Sequence, residues 1–208
     1  IAALGSELYC LGFKGKTIAL IGSASYPWIL FFLTAICSNM MVVPLDPGLD
    51  GQVLAKRLEH CKADLVVTGS EDSLAEAKIK GIRRLSFTDA DWLLREGSSL
   101  LRKNVDGWPG TLIREKHPCL MVYTSGTGGG MKAAVLRQEN LTVERFVWRD
   151  LLNCKDKSLL TYPLSHIAGI GHMRGTLLTG STTFISAGFR ELLHELSYVR
   201  PTRSEEHT

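Results

Sequence analysis

The chain has 208 residues, 45% of them apolar and 22% charged, with a formal net charge of +3. That length allows one substantial domain or two small ones, and the composition excludes wholesale disorder. Charged residues are interspersed, which excludes a basic stripe tracking a nucleic-acid backbone, and the five scattered cysteines contain no C-x-x-C pair, which argues against a zinc site or a disulfide framework.

Apolar residues at helical spacing run from Ile1 to Leu11 and stop at Gly12. No charge then occurs from Thr17 to Leu45, a length that by itself permits a membrane span. Gly22, Ser23, Ser25 and Pro27 break the run early, and Ser38, Asn39 and Pro44 break it late. The stretch therefore reads as a strand at Thr17–Ile21, a buried helix at Tyr26–Cys37 and a strand at Met40–Val43. Asp46 reads as a turn or cap residue rather than a catalytic acid. Asp50 is the expected N-cap of a helix from Gly51 to about Cys61, followed by a strand at Asp64–Thr68. A helix at Glu71–Lys80, a strand at Arg83–Phe87 and a short helix at Asp89–Glu96 continue the pattern.

From Gly97 to Gly110 the composition shifts to Gly, Ser, Asn, Asp and Pro, which reads as a surface connection and a subdomain boundary. Pro118–Tyr123 is a buried strand that runs into a glycine-rich loop, and the apolar run Ala133–Leu136 follows it. Beyond these come a helix from Gln138 to Leu152, a strand at Ser158–Tyr162, a helix at His166–Leu178, a strand at Ser181–Ile185 and a helix at Phe189–Tyr198. There is no internal repeat. The alternation predicts an α/β layer structure, a largely parallel sheet with helices on its faces.

The loop is the most informative segment. Glycines at 126, 128, 129 and 130 free the backbone for the turns in which successive N–H groups converge on an anion. Thr124, Ser125 and Thr127 add hydroxyls, and Lys132 adds a point charge suited to a β- or γ-phosphate whose charge grows as pyrophosphate leaves. The segment Thr124–Lys132 thus reads as a triphosphate cradle, the plain alternative being a glycine hairpin with no ligand. A Walker A loop fails because Met131 and Ala133 flank the lysine, and a dinucleotide fingerprint fits only loosely as Gly128-x-Gly130-x-x-Ala133.

The segment Tyr123–Leu141, YTSGTGGGMKAAVLRQENL, resembles without a gap the phosphate-loop signature of the adenylate-forming (AMP-binding) superfamily, written YTSGTTGxPKGVxLTHxNL. Tyr123, Thr124, Ser125, Gly126, Thr127, Gly129, Lys132, Leu136, Asn140 and Leu141 match it, whereas Gly128, Met131, Ala133 and Gln138 replace its Thr, Pro, Gly and His. Upstream, Gly15–Leu45 and Leu58–Val67 are similar to the family's early strands and helices. Downstream, Tyr162–Gly169 looks like its PLxHxxG motif, and the resemblance covers nearly all of Leu8–Thr202. It implies that Thr124, Ser125, Gly126, Thr127, Gly128, Gly129, Gly130 and Lys132 bind the nucleotide. It also implies that His166 lines the carboxylate and pantetheine side of the pocket as the catalytic candidate. His60, His117, His172 and His194 have no such context.

The loop variant, the PLSH motif and the segment FRELLHELSYVRPT look most like long-chain acyl-CoA synthetases. The resemblance implies an ATP-dependent ligase that forms an acyl-adenylate and then an acyl thioester, on fatty acids, with ATP, magnesium and coenzyme A. Alternatives are amino-acid or aryl-acid activation, nucleotide binding without catalysis, and a dinucleotide-dependent oxidoreductase. The family's magnesium-binding Glu, ribose-binding Asp, hinge and late catalytic Lys are not in this chain, so no metal ligand is expected from it and the segment alone should be inactive. Residues Ile1–Thr202 read as a partial AMP-binding domain, and Arg203–Thr208 as an adapter-derived tail. No secretory pattern is visible at the N-terminus, which points to the cytoplasm, with peripheral membrane contact left open.

Overall fold

The computed structural model describes residues 1–69, 81–103, 113–124, 131–142 and 151–202. They form two compact units, Ile1–Gln138 and Glu139–Thr208. The first holds α1 (Ala2–Cys10), β1 (Thr17–Ile21), α2 (Tyr26–Cys37), β2 (Met41–Leu45), α3 (Gly51–His60) and β3 (Leu65–Thr68). It continues with β4 (Arg83–Ser86), a 3₁₀ turn at Phe87–Asp89, α4 (Ala90–Arg102), β5 (Pro118–Thr124) and β6 (Lys132–Arg137). The second holds β7 (Lys157–Leu160), α5 (Ile167–Thr179), β8 (Thr182–Ile185), a 3₁₀ turn at Phe189–Glu191 and α6 (Leu192–Val199). The helix expected at 71–80 and most of the one expected from Gln138 lie outside the described residues.

Both ends of the charge-free stretch obey local chemistry. Ser25 caps α2 by accepting the Trp28 N–H at 3.3 Å, and Pro27 in the first turn needs no helical donor partner. Thr17–Ile21 and Met41–Leu45 become neighbouring parallel strands because their apolar side chains fit a sheet covered on both faces. The second strand continues through Pro44 to Leu45, further than the turn signal suggested. Pro44 stands one residue from the strand's end, where a missing N–H disturbs little of the ladder. Among the described residues no helix is long and apolar enough to cross a membrane. Asp50 caps α3 as expected, accepting from Gln52 and Val53, and Asp46 closes a turn by accepting the Gly48 N–H at 2.8 Å.

The first unit's sheet has the order β4-β3-β1-β2-β5-β6, parallel up to β5, with β6 running back antiparallel. Connections leave β1 for β2 on one side and return past β1 to β3 on the other, so the carboxyl ends of β1 and β3 form a topological switch point. Here the ring of Phe87 covers Gly22 and Gly69. A Cβ added at Gly22 would stand 2.6 Å from the ring, and one at Gly69 2.9 Å from it.

Gly97 does not open a surface connection, contrary to the composition of its segment. It lies inside α4, which runs to Arg102. A Cβ at Gly97 would fall 1.8 Å from the carbonyl oxygen of Ala3, so glycine is what lets α4 and α1 pack backbone to backbone. The boundary between the units falls instead at Gln138. Among the described residues there is no disulfide; Cys61 and Cys119 are buried, but Cys10 and Cys154 are exposed rather than in a core.

The second unit is built on the parallel pair β7–β8. Polar contacts brace it. Glu195 of α6 accepts from Ser186 Oγ at 2.6 Å and Ala187 N–H at 2.7 Å, and these donors hold its carboxylate below the usual range. Thr202 donates to Asp156 at 2.8 Å and receives the Lys157 N–H at 2.9 Å, fastening the end of α6's segment to the start of β7.

Candidate functional site

The hairpin β5–β6 positions the two described ends of the phosphate loop. Thr124, the last residue of β5, and Lys132, the first of β6, are direct ladder partners, so their side chains project to the same face. Both are exposed, and among the described residues no carboxylate pairs with Lys132. A hydroxyl and an ammonium are thereby held side by side at the mouth of the loop, a donor set that suits phosphate oxygens. Ser125, Gly126, Thr127, Gly128, Gly129 and Gly130 lie outside the described residues.

Strand alternation sends the neighbouring pair, Tyr123 and Ala133, to the opposite face and into the core with Leu54, Leu58 and Cys61. Ala133 stands where the signature has glycine, and its methyl group packs against this core. Gln138 stands where the signature has histidine. Its side-chain N–H donates to the carbonyl of Ile36 at 2.8 Å, satisfying a buried acceptor at the end of α2. Met131, in the place of the signature's proline, is 42% exposed.

Tyr123 is also gripped by polar groups that the sequence left without context. Its hydroxyl donates to the carbonyl of Arg57 at 2.8 Å and lies 2.9 Å from His60 Nδ1, while the Arg57 guanidinium sits over its ring at 4.8 Å. Burial, and the neighbouring Cys61, push the Tyr123 phenol up to about 12 despite Arg57, so it stays a neutral donor. Burial likewise pushes the Cys61 thiol up to about 11, which makes it an inert core group rather than a nucleophile. No spacing rule links His60 to Tyr123, 63 residues apart, although Arg57 and His60 do share the last turn of α3.

His166 belongs to the second unit. It is the N-cap residue of α5 in extended conformation, exposed, with no side-chain capping bond; its backbone N–H donates to Pro163 O at 3.1 Å. Its imidazole is therefore available to a ligand. The glycine of the same motif has a steric reason: a Cβ at Gly169 would meet the carbonyl oxygens of Pro163 and Tyr162 at 2.5 and 2.9 Å. Gly169 lets the first turn of α5 lie directly on the loop that presents His166. Among the described residues no three His, Cys, Asp or Glu side chains converge as metal ligands.

The model of the family described as AMP-binding enzyme matches residues 1–202. The chain belongs to the AMP-binding enzyme family. Among curated AMP-binding relatives, a 4-coumarate–CoA ligase-like 6 of Arabidopsis thaliana is 24% identical over 189 residues, covering 85% of this chain and 33% of that protein. A feruloyl-CoA synthase of Amycolatopsis is 27% identical over 194 residues, covering 91% of this chain and 38% of the relative. The chain thus spans about a third of the length of the curated relatives it matches. The inhibitor-bound N-terminal domain of FACL13 from Mycobacterium tuberculosis superposes with a TM-score of 0.82 at 19% identity, over 96% of this chain and 52% of that one. The O-succinylbenzoate coenzyme A synthetase of Bacillus subtilis, in complex with AMP, gives 0.77 at 18% identity, over 98% of this chain and 52% of that one. The fold is that of the N-terminal domain of adenylate-forming enzymes, with the mostly parallel sheet and flanking helices expected.

Proposed function

We propose that the whole protein carrying this chain is a carboxylate–CoA ligase. A carboxylate oxygen attacks the α-phosphorus of ATP, the bond to the β-phosphate breaks and pyrophosphate leaves. The thiol of coenzyme A then attacks the acyl carbon, loses its proton and displaces AMP. The observation that carries the reading is the pairing of Thr124 with Lys132 across the foot of a glycine-rich loop in an AMP-binding chain. There the Lys132 ammonium meets the charge that grows on departing pyrophosphate, with Thr124, Ser125 and Thr127 as hydroxyl donors and Gly126, Gly128, Gly129 and Gly130 as the glycines of the cradle. Magnesium would screen the same phosphates. The exposed His166, at the start of α5, serves the acyl and thiol side. Location in the cytoplasm belongs to the same reading.

The fatty-acid substrate suggested by the sequence competes with an aromatic one. Relatives named for coumarate, ferulate and indoleacetate favour an aromatic carboxylate, while a structural neighbour titled as a long-chain fatty-acid CoA ligase keeps the aliphatic reading in play. The test is carboxylate-dependent ATP–pyrophosphate exchange by the whole protein with fatty acids and hydroxycinnamates in parallel. Lys132→Ala should lower exchange by about 100-fold, the cost of removing one preorganised charge at the reacting phosphates. His166→Ala should depress thioester formation more than exchange. Absence of exchange with every carboxylate, from a protein that binds ATP, would replace the ligase by a nucleotide-binding protein.

A further inference from the structure

We propose that His60 is a positioning residue: by holding the Tyr123 hydroxyl it fixes the register at which β5 and β6 deliver Thr124 and Lys132 to the phosphate loop. The inference rests on the ATP-binding part of the ligase reading given above. Tyr123 is followed by Thr124 across a single peptide bond, and its ladder partner Ala133 is followed back to Lys132. Any shift of Tyr123 along the strand is therefore carried to both loop ends, since consecutive Cα atoms keep a separation of about 3.8 Å. Three contacts from the last turn of α3 oppose such a shift: the Arg57 carbonyl, the Arg57 guanidinium and His60.

The roles within the clasp follow from proton count. The phenol has one hydrogen, which goes to the Arg57 carbonyl at 2.8 Å. At 2.9 Å the His60 ring nitrogen must then be the donor, which assigns the Nδ1–H tautomer. Core packing does not account for His60, because its side chain is exposed and reaches the tyrosine at its ring edge, with centroids 5.7 Å apart and planes tilted by 56°. The phenyl ring of Tyr123 would fill the same core volume without its hydroxyl. The hydroxyl and its partners Arg57 and His60 in the last turn of α3 are a provision for position.

The experiment measures the dissociation constant of magnesium–ATP and pyrophosphate exchange in the whole protein. The variants are His60→Ala, His60→Asn, Tyr123→Phe and the His60→Ala/Tyr123→Phe pair. His60→Ala should weaken ATP binding roughly three- to tenfold, the worth of one hydrogen bond, while carboxylate KM stays put. His60→Asn, whose amide nitrogen replaces Nδ1, should restore binding to within about twofold. The double variant should bind no more weakly than Tyr123→Phe alone, because loss of the phenol already removes the His60 contact along with the Arg57 bond. Unchanged binding in His60→Ala, no rescue by asparagine, or additive losses would each overturn the proposal. A wild type that binds ATP with the expected variant series but shows no exchange sinks the ligase reading and supports the clasp. Exchange with an unaffected His60→Ala sinks the clasp alone, and a wild type that binds no ATP sinks both.

Discussion

In the first unit Trp28 and Phe31 are 1% exposed and every residue of β3 is buried, whereas in the second Leu193 and Tyr198 are 82% and 79% exposed and β8 is at best half-buried. Among the described residues the first unit is built on six strands, whereas the second unit's buried apolar set, with Leu160, Ile170 and Met173, belongs to β7 and α5 and leaves β8 and most of α6 partly exposed. The loop ends Thr124 and Lys132 thus stand on a well-buried core, while His166 is positioned by local contacts: the Gly169 approach and its own N–H bond to Pro163.

The contrast breaks most visibly under side-chain truncation. Trp28→Ala should cost about 3–5 kcal/mol in urea unfolding, because it empties a site where the indole stacks on Phe32 with centroids 5.2 Å apart. Leu193→Ala should stay within about 0.5 kcal/mol. Equal losses would mean that Leu193 is covered in solution and that the contrast in exposure fails. Gly169→Ala comes next, at about 1–3 kcal/mol from forcing a methyl group against Pro163 O. Circular dichroism melts should show it, together with a larger rise in KM for the thiol substrate than for ATP.

The smallest expected effect sharpens the picture of the first unit's edge. Burial, and secondarily the charge of Glu96, raise the pKa of Glu7, so the folded chain holds its proton more tightly than the unfolded chain does. Stability is then lost as pH rises from the ordinary glutamate pKa through the raised one. Glu7→Gln should raise the melting midpoint at pH 7 and leave it unchanged below the ordinary glutamate range. A benefit that persists at low pH would point to packing instead of charge.

Much of this was legible where chemistry is local. Ser25 and Pro27 marked the start of α2, Asp50 that of α3, and apolar runs of strand length marked β1, β3 and β5. Where the reading failed, a distant partner decided the matter. The Gly97 segment has loop composition, yet Ala3, 94 positions earlier in the chain, requires a glycine there within a helix. The unit boundary at Gln138 carries no turn signal, since that residue itself reaches back to Ile36. Of the site, motif and spacing indicated the loop and His166, and the structure describes the loop's two ends and the histidine. His60 leaves no signal in the sequence because its bond to Tyr123 joins a helix end to a strand end through tertiary packing alone.

Phe87, lying over Gly22 and Gly69, closes the crevice in which sheets of this order commonly receive a ligand. The three positions form an interlocking set from which no single replacement leads out cleanly. Alanine at either glycine collides with the phenyl ring, and a smaller side chain at 87 leaves two bare backbones under a void. A descendant chain that reopens this crevice must lose the ring first and tolerate the void until a side chain grows into it.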